Sequence, residues 1–218
     1  MELLKSFIDI ILHLDHHLLS FVHQYGALTY MILFIIILLE TGVVVTPFLP
    51  GDSLIFTAGA IAAQGSLNIF VLLVLLIIAA SLGDTLNYFI GRTIGLKVLN
   101  NKKMKLINVK YIQDTQEFYN RKGSKFIVLA RFIPIIRTFA PFVAGIGKMN
   151  YSKFITYNIL GATLWVSLMV LIGFFFGNIS IVKNHFGLLT IGIIIVSIVP
   201  IVKDVIINFM KKSKNRQI

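Results

Sequence analysis

Arg131 and Arg137 stand six residues apart in the stretch RFIPIIRTFAPFVAGIGKMN (131–150), with Pro134 between them and Pro141 just after, in surroundings otherwise apolar enough for a bilayer. A guanidinium at membrane depth costs at least ~2.5 kcal/mol, so such residues face a protein interior or a water-filled cavity. Each proline removes a backbone donor and is expected to break the helix, and non-helical backbone in a membrane survives only where protein or a cavity surrounds it. The expected local structure is a broken, re-entrant hairpin. Because a proline intervenes, helical spacing does not relate the two arginines, but a turn can bring both to one cavity. Planar guanidinium forks match phosphate oxygens, and the free backbone donors at the start of a half-helix attract anions too. A lipid phosphate is the natural ligand. The alternative is that both arginines only pair with buried carboxylates and hold the fold together.

The carboxylates for either role are at hand. Residues 40–60 read ETGVVVTPFLPGDSLIFTAGA, with Glu40 and Asp52 bracketing Pro47, Pro50 and Gly51. Carboxylates withdrawn from water in a membrane can load and release protons, which makes Glu40 and Asp52 candidates for proton coupling. Asp52, directly after Pro50-Gly51, also suits a helix N-cap, whereas Glu40 ends an apolar run and has no such local use. Along residues 81–95, which include GDTLNYFIGRTIG (83–95), Ser81, Asp84, Asn87, Tyr88, Gly91 and Gly95 share one helical face. Asp84 is the functional candidate there, the glycines read as packing positions, and Arg92 reads as an interfacial anchor.

These three blocks, in this order, resemble the DedA family, also called the SNARE-associated or VTT-domain family of membrane proteins, over roughly residues 26–180. The resemblance implies lipid transport. Bacterial members are linked to recycling undecaprenyl phosphate, others to phospholipid flipping, and eukaryotic relatives to lipid scrambling. Carried over by position, the functional charges are Glu40, Asp52, Arg131 and Arg137, with Asp84, Pro50, Gly51, Pro134 and Pro141 in support.

Composition sets the frame. Of 218 residues, 57% are hydrophobic and 13% charged, and the mean hydropathy of +0.88 lies far outside the soluble range. The net charge of +11 is not a nucleic-acid footprint, because its distribution follows topology. Gly26 to Gly91 contain no lysine or arginine, nine basic residues crowd into 92–125, and five more close the chain. With no cysteine there is no disulfide, thiolate metal site or cysteine nucleophile. Asp9, His13 and His17 recur at four-residue spacing near His16, but no further ligand accompanies them, so no metal or other cofactor is expected.

The apolar periods then give an all-α membrane protein in four parts: an amphipathic N-terminal helix (1–25), a membrane domain (26–180), a final spanning helix (181–210) and a basic tail (211–218). Within the domain, broken segments at 28–64 and 126–147 alternate with spanning helices at 67–91 and 154–177, and an amphipathic stretch at 107–119 joins the halves. With the basic loop and the C-terminus cytoplasmic, the two re-entrant segments enter a plasma membrane from opposite faces, as in inverted-repeat transporters. Phe-x-Pro and Ala-Gly occur in both halves, at different spacing, which leaves the repeat open.

Three function classes compete. The first is a flippase-like carrier of a phosphate-bearing lipid, with undecaprenyl phosphate foremost and a phospholipid next, driven by protons. The second is a proton- or cation-coupled ion transporter that affects membrane potential and envelope homeostasis. The third, a lipid phosphatase, lacks a nucleophile: the histidines at 13, 16, 17, 23 and 185 all fall outside the broken segments, so no enzyme is expected. The partners are therefore membrane lipids and protons, without nucleic acid, and self-association stays open.

Overall fold

The computed structural model describes residues 14–43, 51–100, 109–177 and 179. Pro47, Pro50, the final apolar segment and the basic tail lie outside them, as do His13 and His185. Among the described residues there is no strand, and the protein is an all-α membrane protein.

Two long helices form the frame: α4, Ile69–Asn100, and α8, Tyr151–Gly177. Both are long and apolar enough to cross a membrane, α4 over Ile69–Thr93. At 1.5 Å per residue, the 27 residues of α8 reach about 40 Å, beyond the ~30 Å of a hydrocarbon core. Both begin alike. Asn68 Oδ1 accepts the backbone N–H of Phe70 (2.9 Å) and Val71 (3.2 Å), while Asn150 Oδ1 accepts that of Ser152 (2.9 Å) and Lys153 (3.4 Å). Such side-chain caps satisfy donors that a helix start leaves unpaired. Left-handed residues shortly before them, Gly65 (φ +81°) and Lys148 (φ 51°), turn the chain into each helix. Outward stripes of Val71, Val74, Ile78, Leu82 and Leu86 on α4, and of Leu160, Leu164, Leu168 and Phe175 on α8, suit contact with lipid tails.

A broken segment precedes each long helix. The first runs α2, Leu28–Gly42, then α3, Gly51–Ala63. The second runs α6, Phe126–Ala130, then α7, Pro134–Ile146. With 13 residues each, α3 and α7 reach about 20 Å, too short to cross alone. Preceding them are α1, Leu14–Tyr25, and α5, Val109–Lys122. The latter continues through a 3-10 turn, Gly123–Lys125, into α6.

The break at the second segment falls at residues 131–133, and Pro134 opens α7 at a position where a missing backbone N–H costs nothing. Pro141 departs from expectation. It sits buried inside α7 without ending it; the only helical bond it removes is the one to the carbonyl four residues earlier, and α7 lies packed among protein that tolerates the loss.

Packing relates the halves reciprocally. The chain packs α2 on α4 and α3 on α8, and likewise α6 on α8 and α7 on α4. Two glycine seams bring helix backbones close together. A Cβ at Gly59 would strike the Val170 carbonyl, and one at Gly173 the Phe56 carbonyl. In the other seam a Cβ at Gly145 would strike the Tyr88 carbonyl, and one at Gly91 the Phe142 carbonyl. Phe56-Thr57-Ala58-Gly59 therefore does on α8 what Phe142-Val143-Ala144-Gly145 does on α4. Around the first seam lies a core of Leu33, Ile37, Ile55, Leu72, Leu76 and Val170; around the second lies one of Tyr88, Phe126, Ile127, Ala144 and Phe154.

Candidate functional site

The residues flanking the two breaks converge between the long helices, and they form two charged centres rather than one. In the first, Arg131, directly after α6, points its Nη2 at three acceptors: Asp84 Oδ2 on α4, Asn158 Oδ1 on α8 at 2.6 Å and the Ala80 carbonyl at 3.5 Å. Asn158 in turn donates Nδ2 to the Ser81 carbonyl at 2.9 Å. The Arg131 and Asp84 side chains are only 2% and 5% exposed, which makes this the sealed centre, and Arg131 Nε and Nη1 are buried there without a hydrogen-bond partner. Gly161 leaves the space for this arginine, since a Cβ there would come within 3.0 Å of its Cδ.

The second centre gathers Arg137 from the first turn of α7, Asp52 from the first turn of α3 and Glu40 from the last turn of α2. Arg137 donates Nη1 to Asp52 Oδ1 at 2.7 Å and Nη2 to Glu40 Oε1 at 3.2 Å. Glu40 is 3% exposed, but Arg137 and Asp52 reach 11% and 13%, which makes this the more accessible, open centre of the two. Gly51 leaves room for the Glu40 carboxylate, which a Cβ there would overlap and displace. The local dipoles oppose two of these charges: Glu40 sits at the negative end of α2 and Arg137 at the positive end of α7. Their mutual pairing holds them in place.

Formal charge separates the centres further. Arg131 and Asp84 cancel. Arg137 faces two carboxylates and leaves the open centre one negative charge in excess when all are ionised. A site of that kind takes up a proton or another cation, or releases its arginine to an incoming anion when the carboxylates are protonated.

Two further side chains tie the centres to the frame. Asn87 on α4 donates Nδ2 to the Thr41 carbonyl (3.3 Å) and the Thr138 carbonyl (2.9 Å), clamping the end of α2 to the start of α7. Trp165 on α8 donates Nε1 to Asp52 Oδ1 at 3.0 Å.

Set against expectation, the structure brings Glu40, Asp52 and Arg137 together and places Asp84 with Arg131. The two arginines bond different carboxylates, although both lie near the Trp165 ring, and each of these five charges has a partner of opposite sign. Asp52 lies inside the first turn of α3, and its carboxylate reaches across to Arg137 and Trp165. Arg92 is exposed and donates Nη1 to the Tyr88 hydroxyl at 3.0 Å, while that hydroxyl donates to the Met149 carbonyl. Pro50 lies outside the described residues. Asn158 and Trp165 were not among the predicted site residues, and in sequence only their being polar or amphipathic within an apolar helix marks them.

The VTT domain, as a family, matches residues 49–175. Protein DedA of Escherichia coli (strain K12) is 51% identical over 208 residues, covering 94% of this chain and 95% of that protein. An uncharacterized membrane protein of Mycobacterium leprae (strain TN) is 36% identical over 76% of this chain and 74% of its own length. Inner membrane protein YqjA of Escherichia coli (strain K12) is 28% identical over 99% of this chain and its own full length. No solved structure matches.

Proposed function

The chain belongs to the VTT-domain (DedA) family of membrane proteins, and from that premise we propose that it translocates a phosphate-bearing lipid, undecaprenyl phosphate foremost, across the plasma membrane together with protons. The observation that carries this reading is the open centre. Arg137 is the less buried of the two arginines, it presents a planar fork suited to phosphate, and it is held by two carboxylates that compete with phosphate for the same donors. Protonation of Glu40 or Asp52 frees the fork for a headgroup. Loss of those protons expels the headgroup again, because the carboxylates reclaim the guanidinium. Such competition links lipid occupancy to proton occupancy without a separate coupling element.

The helix directions support the same mechanism. Contacts along α7 and α4 advance together, Thr138 with Asn87 and Phe142 with Gly91, so these helices run side by side in one direction. Along α3 and α8, Asp52 meets Trp165 and Ala60 meets Gly177, which also sets these two parallel. If α4 and α8 cross in opposite senses with the basic segment and C-terminus cytoplasmic, the two broken segments enter from opposite faces and meet at mid-membrane.

The excess negative charge of the open centre favours a second reading, a proton- or cation-coupled ion transporter. One experiment separates them. Proteoliposomes of purified protein are given fluorescent polyprenyl phosphate or a phospholipid, with and without a pH gradient. Lipid translocation that depends on the gradient supports the first reading; gradient dissipation with neither lipid moving replaces it with the second.

A further inference from the structure

The chain has a single tryptophan, Trp165, buried midway along α8. Packing alone does not account for its contacts. A buried indole N–H needs an acceptor, and this one uses Asp52 Oδ1, the same oxygen that receives Arg137 Nη1. The ring face lies 4.8 Å from Arg137 Cζ and 5.9 Å from Arg131 Cζ. One side chain thus touches the acid and the base of the open centre and reaches toward the sealed one.

Consider the moment when Arg137 leaves Asp52 for a phosphate. When Glu40 is the acid that has taken up the proton, Asp52 would without another donor be left as an uncompensated, largely desolvated carboxylate, an unfavourable state. The indole N–H stays in place through that step, and a hydrogen bond to a charged acceptor is among the stronger ones. The ring meanwhile supplies a cation–π face on which the guanidinium can pivot without entering bulk lipid. We propose that Trp165 is a positioning residue for translocation: its N–H holds Asp52 while Arg137 is away, and its face guides Arg137 between carboxylate and ligand. This inference rests on the lipid-phosphate reading.

The test uses the full chain in proteoliposomes with polyprenyl phosphate. Trp165→Phe keeps an aromatic face and removes the N–H; Trp165→Leu removes both. The expected result is a maximal rate about tenfold lower in Trp165→Phe, with the lipid concentration at half-maximal rate nearly unchanged, and a raised half-maximal concentration as well in Trp165→Leu. Because Trp165 is the sole tryptophan, the emission of the wild type should shift when polyprenyl phosphate is added, and Arg137→Ala should abolish the shift. A Trp165→Phe protein that melts lower but translocates at the wild-type rate per folded molecule makes Trp165 a packing residue and overturns the inference alone. A wild type that moves no lipid overturns the translocation reading and takes this inference with it.

Discussion

The two arginines of the second broken segment are the same residue type, six positions apart, and each bonds a carboxylate, yet their surroundings differ. Arg131 is closed in by α4, α6 and α8, and its single acid partner, Asp84, is sealed with it. Arg137 is shared between two acids carried on two other helices and stands partly open. A sealed, neutral pair has one stable arrangement. An open centre with one charge in excess has several, differing in where a proton or an anion sits. On the proposed function, access and unequal charge, rather than membrane depth and residue type alone, distinguish the transport site.

The largest effect should come from breaking the sealed pair. Arg131→Ala or Asp84→Ala leaves a buried charge alone and should cost about 3–5 kcal/mol, seen as loss of folded protein in detergent by thermal unfolding. The double replacement Arg131→Leu with Asp84→Leu should recover much of that, since no orphan charge remains. Equal loss in the double variant would show that the pair does more than hold the fold.

Arg137→Ala should act chiefly on transport: it leaves Glu40 without its cation and lowers the folded yield by less than Arg131→Ala, because this centre is the more accessible of the two, while the translocation rate per folded molecule falls about a hundredfold, on the scale of losing a charge-assisted bidentate contact. Smaller again are the seams. Gly91→Ala and Gly173→Ala each force a Cβ against a backbone carbonyl and should cost about 1–3 kcal/mol. If the two halves are equivalent, their melting shifts should match, and a large disparity breaks the reciprocal packing account. Least of all should matter Arg92→Ala, which loses one exposed contact to Tyr88 and should stay within about 0.5 kcal/mol by the same measurement.

Much of this architecture is legible in the chain because the bilayer imposes strict rules. Long apolar periods mark α4 and α8, and costly charges near prolines mark the breaks around Asp52 and Arg131. Pairing is harder to read. Nothing in the spacing of Glu40, Asp52, Asp84, Arg131 and Arg137 says which acid meets which base, because the pairs span 47 to 97 positions and depend on how four helices pack. Pro141 reads as a helix breaker, yet tertiary packing keeps α7 continuous through it. The repeat hides for a related reason: aligned on the prolines the halves disagree, but aligned on Phe56-x-Ala-Gly59 and Phe142-x-Ala-Gly145, where backbones touch, they correspond. Trp165 looks like any membrane aromatic until its N–H is found on Asp52.

The most direct measurement replaces each arginine by lysine, keeping the charge and removing the planar fork, and records melting temperature and polyprenyl phosphate translocation on the same preparations. Arg131→Lys should melt several degrees lower while the folded fraction translocates at close to the wild-type rate, and Arg137→Lys should melt as the wild type does while translocation falls at least tenfold. The reverse pattern, with Arg131→Lys inactive at full stability and Arg137→Lys active but unstable, would contradict the assignment of structure to the sealed centre and of transport to the open one.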